Sequence, residues 1–155
     1  MRIRPLAEGD LDAVVELALV SFDGQLAEHH SAEALAVLRD DVTVESFRDQ
    51  MACKQILVAE DSSGIVATGA LVDYGDAERP RYTVSQFYVR ADLHRRGIGR
   101  QLLEHLTALA VEAGAESLHV PSSRTAIPFY AQAGFTVDES QPDTALEITW
   151  MTKPL

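Results

Sequence analysis

Val89-Arg90-Ala91-Asp92-Leu93-His94-Arg95-Arg96-Gly97-Ile98-Gly99-Arg100-Gln101-Leu102-Leu103 decides how the chain folds, because it joins two segments whose apolar residues follow different periods. Before it, Tyr82–Val89 is rich in β-branched and aromatic residues, which suit a pleated strand. After it, Ile98, Leu102, Leu106, Leu109, Ala110 and Ala113 recur at three- and four-residue steps and make one helical face apolar as far as Gly114. The reading is strand, turn, helix.

The turn combines glycine with arginine, and both favour an anion. Gly97 and Gly99 lack a Cβ, so a ligand can come close to the backbone. The first amides of the helix have no intrahelical acceptor and add a partial positive charge of about half a unit. A phosphate fits there, and Arg95, Arg96 and Arg100 add full charges. Two familiar phosphate motifs do not fit. No Gly-Lys-Ser/Thr run of the P-loop kind exists, and a dinucleotide fingerprint needs a third glycine where this chain has Leu102.

A second segment, Ala126-Ile127-Pro128-Phe129-Tyr130-Ala131-Gln132-Ala133-Gly134-Phe135, follows downstream. Together the two resemble the GNAT superfamily of acyl-CoA-dependent N-acyltransferases. Its signature is a strand ending in Val, then Arg/Gln-x-x-Gly-x-Gly/Ala opening a helix, and later Ala-x-x-Phe-Tyr-x-x-x-Gly-Phe. The resemblance covers Tyr82–Phe135 closely and the flanks by element order. His94 stands at the Arg/Gln position, and Ser123 replaces an asparagine often found three residues before the alanine.

The resemblance implies an α/β fold of the α+β type: a mixed, mostly antiparallel sheet of six to seven strands flanked by about four helices. It implies acetyl-CoA as acyl donor. The pyrophosphate falls on His94, Arg95, Arg96, Gly97, Ile98, Gly99 and Arg100, and the pantetheine arm on Phe87, Tyr88, Val89, Ser123, Ala126, Phe129 and Tyr130. A bulge near Gln86–Tyr88 is expected, splaying that strand from its Leu118–Val120 neighbour. Tyr130 is the general acid for the departing thiolate, and the backbone N–H of Tyr88 or a neighbour is the oxyanion donor. Many members carry Glu on the strand before Val89, where this chain offers Ser85 and Gln86, neither a base. A water held by Ser85 would relay the amine proton to Asp73, Glu33 or His29. Glu28, His29, His30 and Glu33 fall in the segment that covers the acceptor site in the resembled fold.

Composition bounds the rest. A chain of 155 residues, 46% hydrophobic, is expected to form one domain that buries roughly two thirds of its unfolded surface. It carries no apolar run of about eighteen residues and no basic-then-apolar N-terminus, so neither a membrane span nor a signal peptide is expected. One cysteine, Cys53, excludes an intrachain disulfide and suits the cytoplasm. A net charge of −11 argues against nucleic-acid binding and favours cationic or neutral small substrates. His29-His30, His94, His105 and His119 show no ligand spacing, and no metal is expected.

In chain order, Met1–Leu6 reads as a strand and Asp10 as the cap of a helix with a Leu11, Val14, Val15, Ala18, Leu19, Phe22 stripe. Ser31 caps a short helix through Leu38, and Thr43 or Glu45 starts another reaching Cys53. Ile56–Glu60 and Ile65–Tyr74 form a hairpin around Asp61-Ser62-Ser63-Gly64. Ser117–Val120 is a short strand whose ladder Pro121 interrupts, and Ile127–Ala133 a helix ended by Gly134. Phe135–Asp138 and Leu146–Thr152 pair around a turn containing Pro142, with Trp150 closing the core.

The activity implied is acetyl transfer from acetyl-CoA to a primary amine of a small molecule, peptide or protein. The alternative is a catalytically silent CoA-binding regulatory module. A toxin acetylating aminoacyl-tRNA on a similar scaffold conflicts with the acidic balance. Related folds often pair as homodimers.

Overall fold

In a computed structural model that describes residues 1–142 and 145–155, the strand, turn and helix form as their residue periods require. Strand β4 spans Tyr82–Val89 and helix α4 spans Ile98–Glu112. Before them come β1 (Arg2–Pro5), α1 (Leu11–Asp23), α2 (Ala32–Arg39), α3 (Val44–Gln50), β2 (Gln55–Asp61) and β3 (Gly64–Asp73). After them come β5 (Ser117–Ser122), α5 (Ile127–Gln132), β6 (Thr136–Val137) and β7 (Thr149–Pro154). The seven strands form one sheet in the order β1-β2-β3-β4-β5-β7-β6. All neighbours are antiparallel except β4 and β5, the pair that needs a crossover and receives α4 as that crossover.

Each face of the sheet buries its own apolar set. On one face Leu11, Val14 and Phe22 of α1 meet Phe47 of α3 and Ile56, Val58 and Ala70 of the sheet. On the other, Leu103, Leu106 and Ala110 of α4 meet Leu71, Val84, Leu118 and Val120. The α4 stripe therefore leans toward Leu103, with Ala113 exposed beyond the helix end. Gly69 sets the closeness of this packing. A Cβ there would lie 2.8 Å from Cδ2 of Phe87 and 3.1 Å from Cδ1 of Leu106. Gly69→Ala is expected to destabilise the chain by about 1–3 kcal/mol through overpacking, read as an earlier denaturation midpoint at unchanged slope.

The local signals that held are side-chain caps. Ser31 Oγ accepts from Ala34 N–H and Thr43 Oγ1 from Ser46 N–H, both at 3.1 Å. Asp10 precedes α1 as expected but makes no side-chain cap. Its carboxylate takes the Arg4 guanidinium at 2.7 and 2.9 Å and the Ala7 amide at 2.8 Å. Arg4 also holds Glu60 at 2.9 Å, so β1 is pinned to β2 and to the start of α1.

Two expectations need correction. The α-helices among the described residues number five, with Ala32–Arg39 and Val44–Gln50 separate as expected. The last strand begins at Thr149, after Glu147 takes a φ of 62° that an extended strand cannot hold; residues 143 and 144 of the preceding turn lie outside the described residues. Trp150 does not close the core: it is half-buried, with the Arg81 guanidinium 4.9 Å from its ring centroid. No described helix is long and apolar enough to cross a membrane.

Candidate active site

The site begins with one extra residue. β3 pairs Ala70 with Ser85 but Thr68 with Tyr88, so β4 gains a residue between them. That residue is Gln86, whose φ of 51° is left-handed and costs a residue with a Cβ about 1–2 kcal/mol. Beyond it β4 leaves β5, and the two pair only at Thr83 and His119. The splay expected from the sequence is present.

Hydrogen bonding fixes which amides face the gap. Arg90 N–H donates to Val66 O at 2.9 Å. Amides alternate along an antiparallel strand, so the amide of Tyr88, paired with Thr68, also turns toward β3. Those of Phe87 and Val89 face the gap instead, so of the expected donors, Tyr88 or a neighbour on the strand, it is the neighbours whose amides have the suitable direction. On the opposite wall Leu155 N–H donates to Glu116 O. By the same alternation Leu118, Val120 and Ser122 bond to β7, while Pro121 stands where an N–H would have pointed into the gap. Pro121 therefore does not interrupt the ladder, which continues through Pro121–Trp150 and Ser122–Thr149.

At the mouth of the gap the chain turns into α4 through residues of alternating hand. Arg95 has φ 67° and Gly97 φ 82°, a succession that curls backbone amides into an anion-sized hollow. The amides of Ile98, Gly99 and Arg100 have no backbone acceptor among the described residues, since the first helical bond of α4 runs from Gln101 to Gly97. Gly99 is needed for closeness: a Cβ there would stand 3.1 Å from Cε1 of Phe129. Arg95, Arg96 and Arg100 are exposed and, among the described residues, enter no ion pair.

The gap and this turn share one cleft of about 1070 Å³. All fourteen residues expected to hold the acyl donor line it: Phe87, Tyr88, Val89, His94 through Arg100, Ser123, Ala126, Phe129 and Tyr130. Two of these side chains are already engaged. His94 Nε2 lies 3.1 Å from Val89 O and 3.3 Å from Gln25 Nε2, folded back on the end of β4. Ser123 Oγ accepts from Ala126 N–H at 3.3 Å, starting α5.

Tyr130 is 3% exposed and held by rings, with Phe129 at 5.1 Å, Phe135 at 5.6 Å and Phe87 at 6.1 Å between centroids. Its hydroxyl takes no hydrogen bond from the described residues, and burial, reinforced by nearby Tyr88, raises its pKa above the ordinary phenol range. Tyr88 packs on Phe22, and burial pushes its phenol up to about 12. Both hydroxyls therefore keep their protons at neutral pH.

The acceptor side departs further from expectation. Ser85 lines the cleft, but its Oγ accepts from Lys54 Nζ at 3.0 Å, which leaves its proton and one lone pair. Glu28, His29 and Glu33 are exposed and do not line the cleft. Asp73 lines a different hollow, and its Oδ1 accepts from the amides of Gly75 and Arg81. What covers the cleft is the segment after α1. Thr125 Oγ1 donates to Gln25 O at 3.2 Å, and Arg124 N–H donates to His30 Nε2 at 3.2 Å. Ser31 N–H donates to Glu147 Oε1 at 3.1 Å. Burial lowers the pKa of His30, keeping it a neutral acceptor. No periodicity in residues 25–31 announces these contacts. No His/Cys/Asp/Glu cluster among the described residues could hold a metal.

A bulged strand, a parted sheet and an anion-ready helix start meet along one elongated cleft. Residues 26–153 match the family model described as an acetyltransferase (GNAT) domain, and the chain belongs to that family. Among solved structures, the PaiA N-acetyltransferase of Thermoplasma acidophilum in complex with coenzyme A superposes with a TM-score of 0.83 at 20% identity, over 99% of this chain and 98% of that one. The ribosomal-protein-alanine N-acetyltransferase of Brucella melitensis gives 0.69 at 23% identity over all of both chains. A stretch of 55 residues is 44% identical to the tRNA(Met) cytidine acetyltransferase TmcA of Aeropyrum pernix, covering 35% of this chain and 8% of that protein. Membership in the family supports acyltransferase activity.

Proposed function

We propose that the protein transfers an acetyl group from acetyl-CoA to a primary amine of a small molecule or peptide. The observation that carries this is the gap between β4 and β5, where the amides of Phe87 and Val89 face an unpaired edge beside the start of α4. A pantetheine arm carries amides that can pair with such an edge as an added strand does. Ile98, Gly99 and Arg100 would hold the pyrophosphate through their amides, with the three arginines around it. Bound there, acetyl-CoA supplies an activated thioester. The Phe87 N–H meets the negative charge that develops on the carbonyl oxygen. Tyr130 gives its proton to the leaving sulfur. The amine nitrogen bonds the acetyl carbon, the carbon–sulfur bond breaks, and the surplus amine proton passes to solvent, from which Tyr130 regains the proton it gave.

No carboxylate among the described residues lines the cleft, so the amine reacts from its own neutral fraction. For an alkylamine with a pKa near 10, kcat/KM is then expected to rise about tenfold per pH unit across the neutral range. The same absence favours a second reading, a CoA-binding regulatory module. Thiol release from acetyl-CoA, measured across amines with bulk tRNA as a further arm, separates them. Amine-dependent release supports the enzyme, acetyl-CoA binding with no release supports the regulator, and transfer to tRNA alone redirects the acceptor class.

A further inference from the structure

We infer that the acceptor is an amine with an apolar body, aromatic or branched and free of any second charge, seated on the α1 and α2 side of the cleft; this rests on the transfer reaction proposed above. The cleft passes through the sheet. Its walls come from α4 and α5 on one face, where the donor's phosphates and arm are placed, and from α1, α2 and the segment between them on the other. The gap between β4 and β5 joins the two halves. Successive residues of β4 divide in the same way, Phe87 packing with the α4 cluster and Tyr88 with the α1 cluster. An amine that approaches the thioester from the side the donor leaves free therefore passes over the α1 and α2 wall.

That wall is apolar and unfinished. Phe22, Leu26, Leu38 and Tyr88 belong to one apolar cluster and also line the cleft, with Ile148 lining it from ahead of β7. The rings of Phe22 and Tyr88 stand 6.2 Å apart between centroids, and Leu26, Leu38 and Ile148 are only half-buried. A ligand body of the same kind takes their remaining apolar area out of water. The polar side chains on this half, Ser21, Gln25, Ser85 and Gln86, are uncharged. The first three are engaged: Ser21 O–H donates to Leu17 O, Gln25 Nε2 lies against His94, and Ser85 Oγ accepts from Lys54. The carboxylates next in sequence to the wall are committed elsewhere, Asp23 to Arg39 and Glu147 to Arg124 and the Ser31 amide. Among the described residues, the full charges that line the cleft are Arg95, Arg96 and Arg100 at its phosphate end. A second ammonium on the acceptor would lose water and meet no anion, and a carboxylate would lose water and meet no cation on this half. The net charge of −11 draws any ammonium toward the chain, so selection against a second charge falls to this wall.

The test follows thiol release from acetyl-CoA with isopentylamine and phenethylamine against ethylamine, and with putrescine and β-alanine as the charged amines, each rate divided by the neutral fraction of its amine. The two apolar amines are expected to exceed ethylamine in kcat/KM at least about tenfold, the low end of what a methylene is worth in an apolar pocket, and the charged amines to fall below it. Leu38→Asp sets a carboxylate into the wall. It should bring that ratio to about one through a higher KM for the apolar amines, and should raise kcat/KM for putrescine. Leu26→Ala only shortens the wall and should lower the ratio several-fold. Calorimetry with acetyl-CoA reports that each variant is folded, and the wild-type panel decides the matter without either. Equal use of the apolar amines and ethylamine, a preference for putrescine or β-alanine, or a ratio that survives Leu38→Asp overturns this inference and leaves the transfer reaction standing. So does an apolar preference in the acyl chain instead, with hexanoyl-CoA outpacing acetyl-CoA on ethylamine. Acetyl-CoA binding with no thiol release from any amine overturns both.

Discussion

Replacing Tyr130 by Phe should lower kcat by at least about a hundredfold, the low end of what a positioned general acid contributes, while the affinity for acetyl-CoA stays within twofold. The ring is the structural part of this residue, packed among Phe87, Phe129 and Phe135, and phenylalanine keeps every one of those contacts. Only the hydroxyl is lost, and it holds no described residue in place. Burial raises the phenol pKa. The raised value favours the protonated form, so the acid is present throughout the neutral range and is lost only above the ordinary tyrosine pKa of about 10. Wild type should therefore show no alkaline loss of kcat below that point. Burst and steady-state thiol release at saturating amine measure both expectations. A variant with kcat within threefold of wild type would remove Tyr130 from the chemistry.

Gly97→Glu is expected to weaken acetyl-CoA binding at least a hundredfold by calorimetry. Position 97 has a φ of 82°, and a Cβ there would meet its nearest neighbour, Arg100 Nη2, at 3.6 Å. There is thus room for a side chain, and a glutamate enters the amide hollow as a competing anion beside Arg100. Gly97→Ala separates the two effects. It carries the left-handed strain of about 1–2 kcal/mol without the charge, so it should lower stability while binding within several-fold of wild type. If the glutamate variant folds and binds acetyl-CoA as tightly as wild type, the phosphate does not sit on this turn.

Much of this site could be read before any coordinates. The glycines, the arginines and the change of period at Val89 locate β4, the turn and α4, because they are short-range signals whose partners lie within a few residues. The direction of the amides could not be read. Assigning Phe87 and Val89 rather than Tyr88 requires knowing that Gln86 takes a positive φ, and glutamine in a sequence gives no sign of that. Lys54 is invisible for a different reason: it meets Ser85 across thirty-one positions of chain, and nothing in either segment points to the other. Glu28, His29, His30 and Glu33 were expected from their place in the segment after the first helix, yet only His30 turns inward, together with Gln25, and the other three are exposed. Trp150 misled through size alone, since a large ring on an uncovered sheet face finds a guanidinium instead of a core.

One rung of backbone pairing, Thr83 to His119, joins β1–β4 to β5–β7. Mechanically the sheet is two plates, fastened to each other mainly through apolar side chains of α4 and Tyr130 that touch both. Whatever occupies the gap then acts as a keystone: it supplies the backbone bonds that the plates do not make with each other. Occupancy and cohesion become the same quantity, so resistance to unfolding should grow with ligand concentration, and the two plates should lose their independence of motion together.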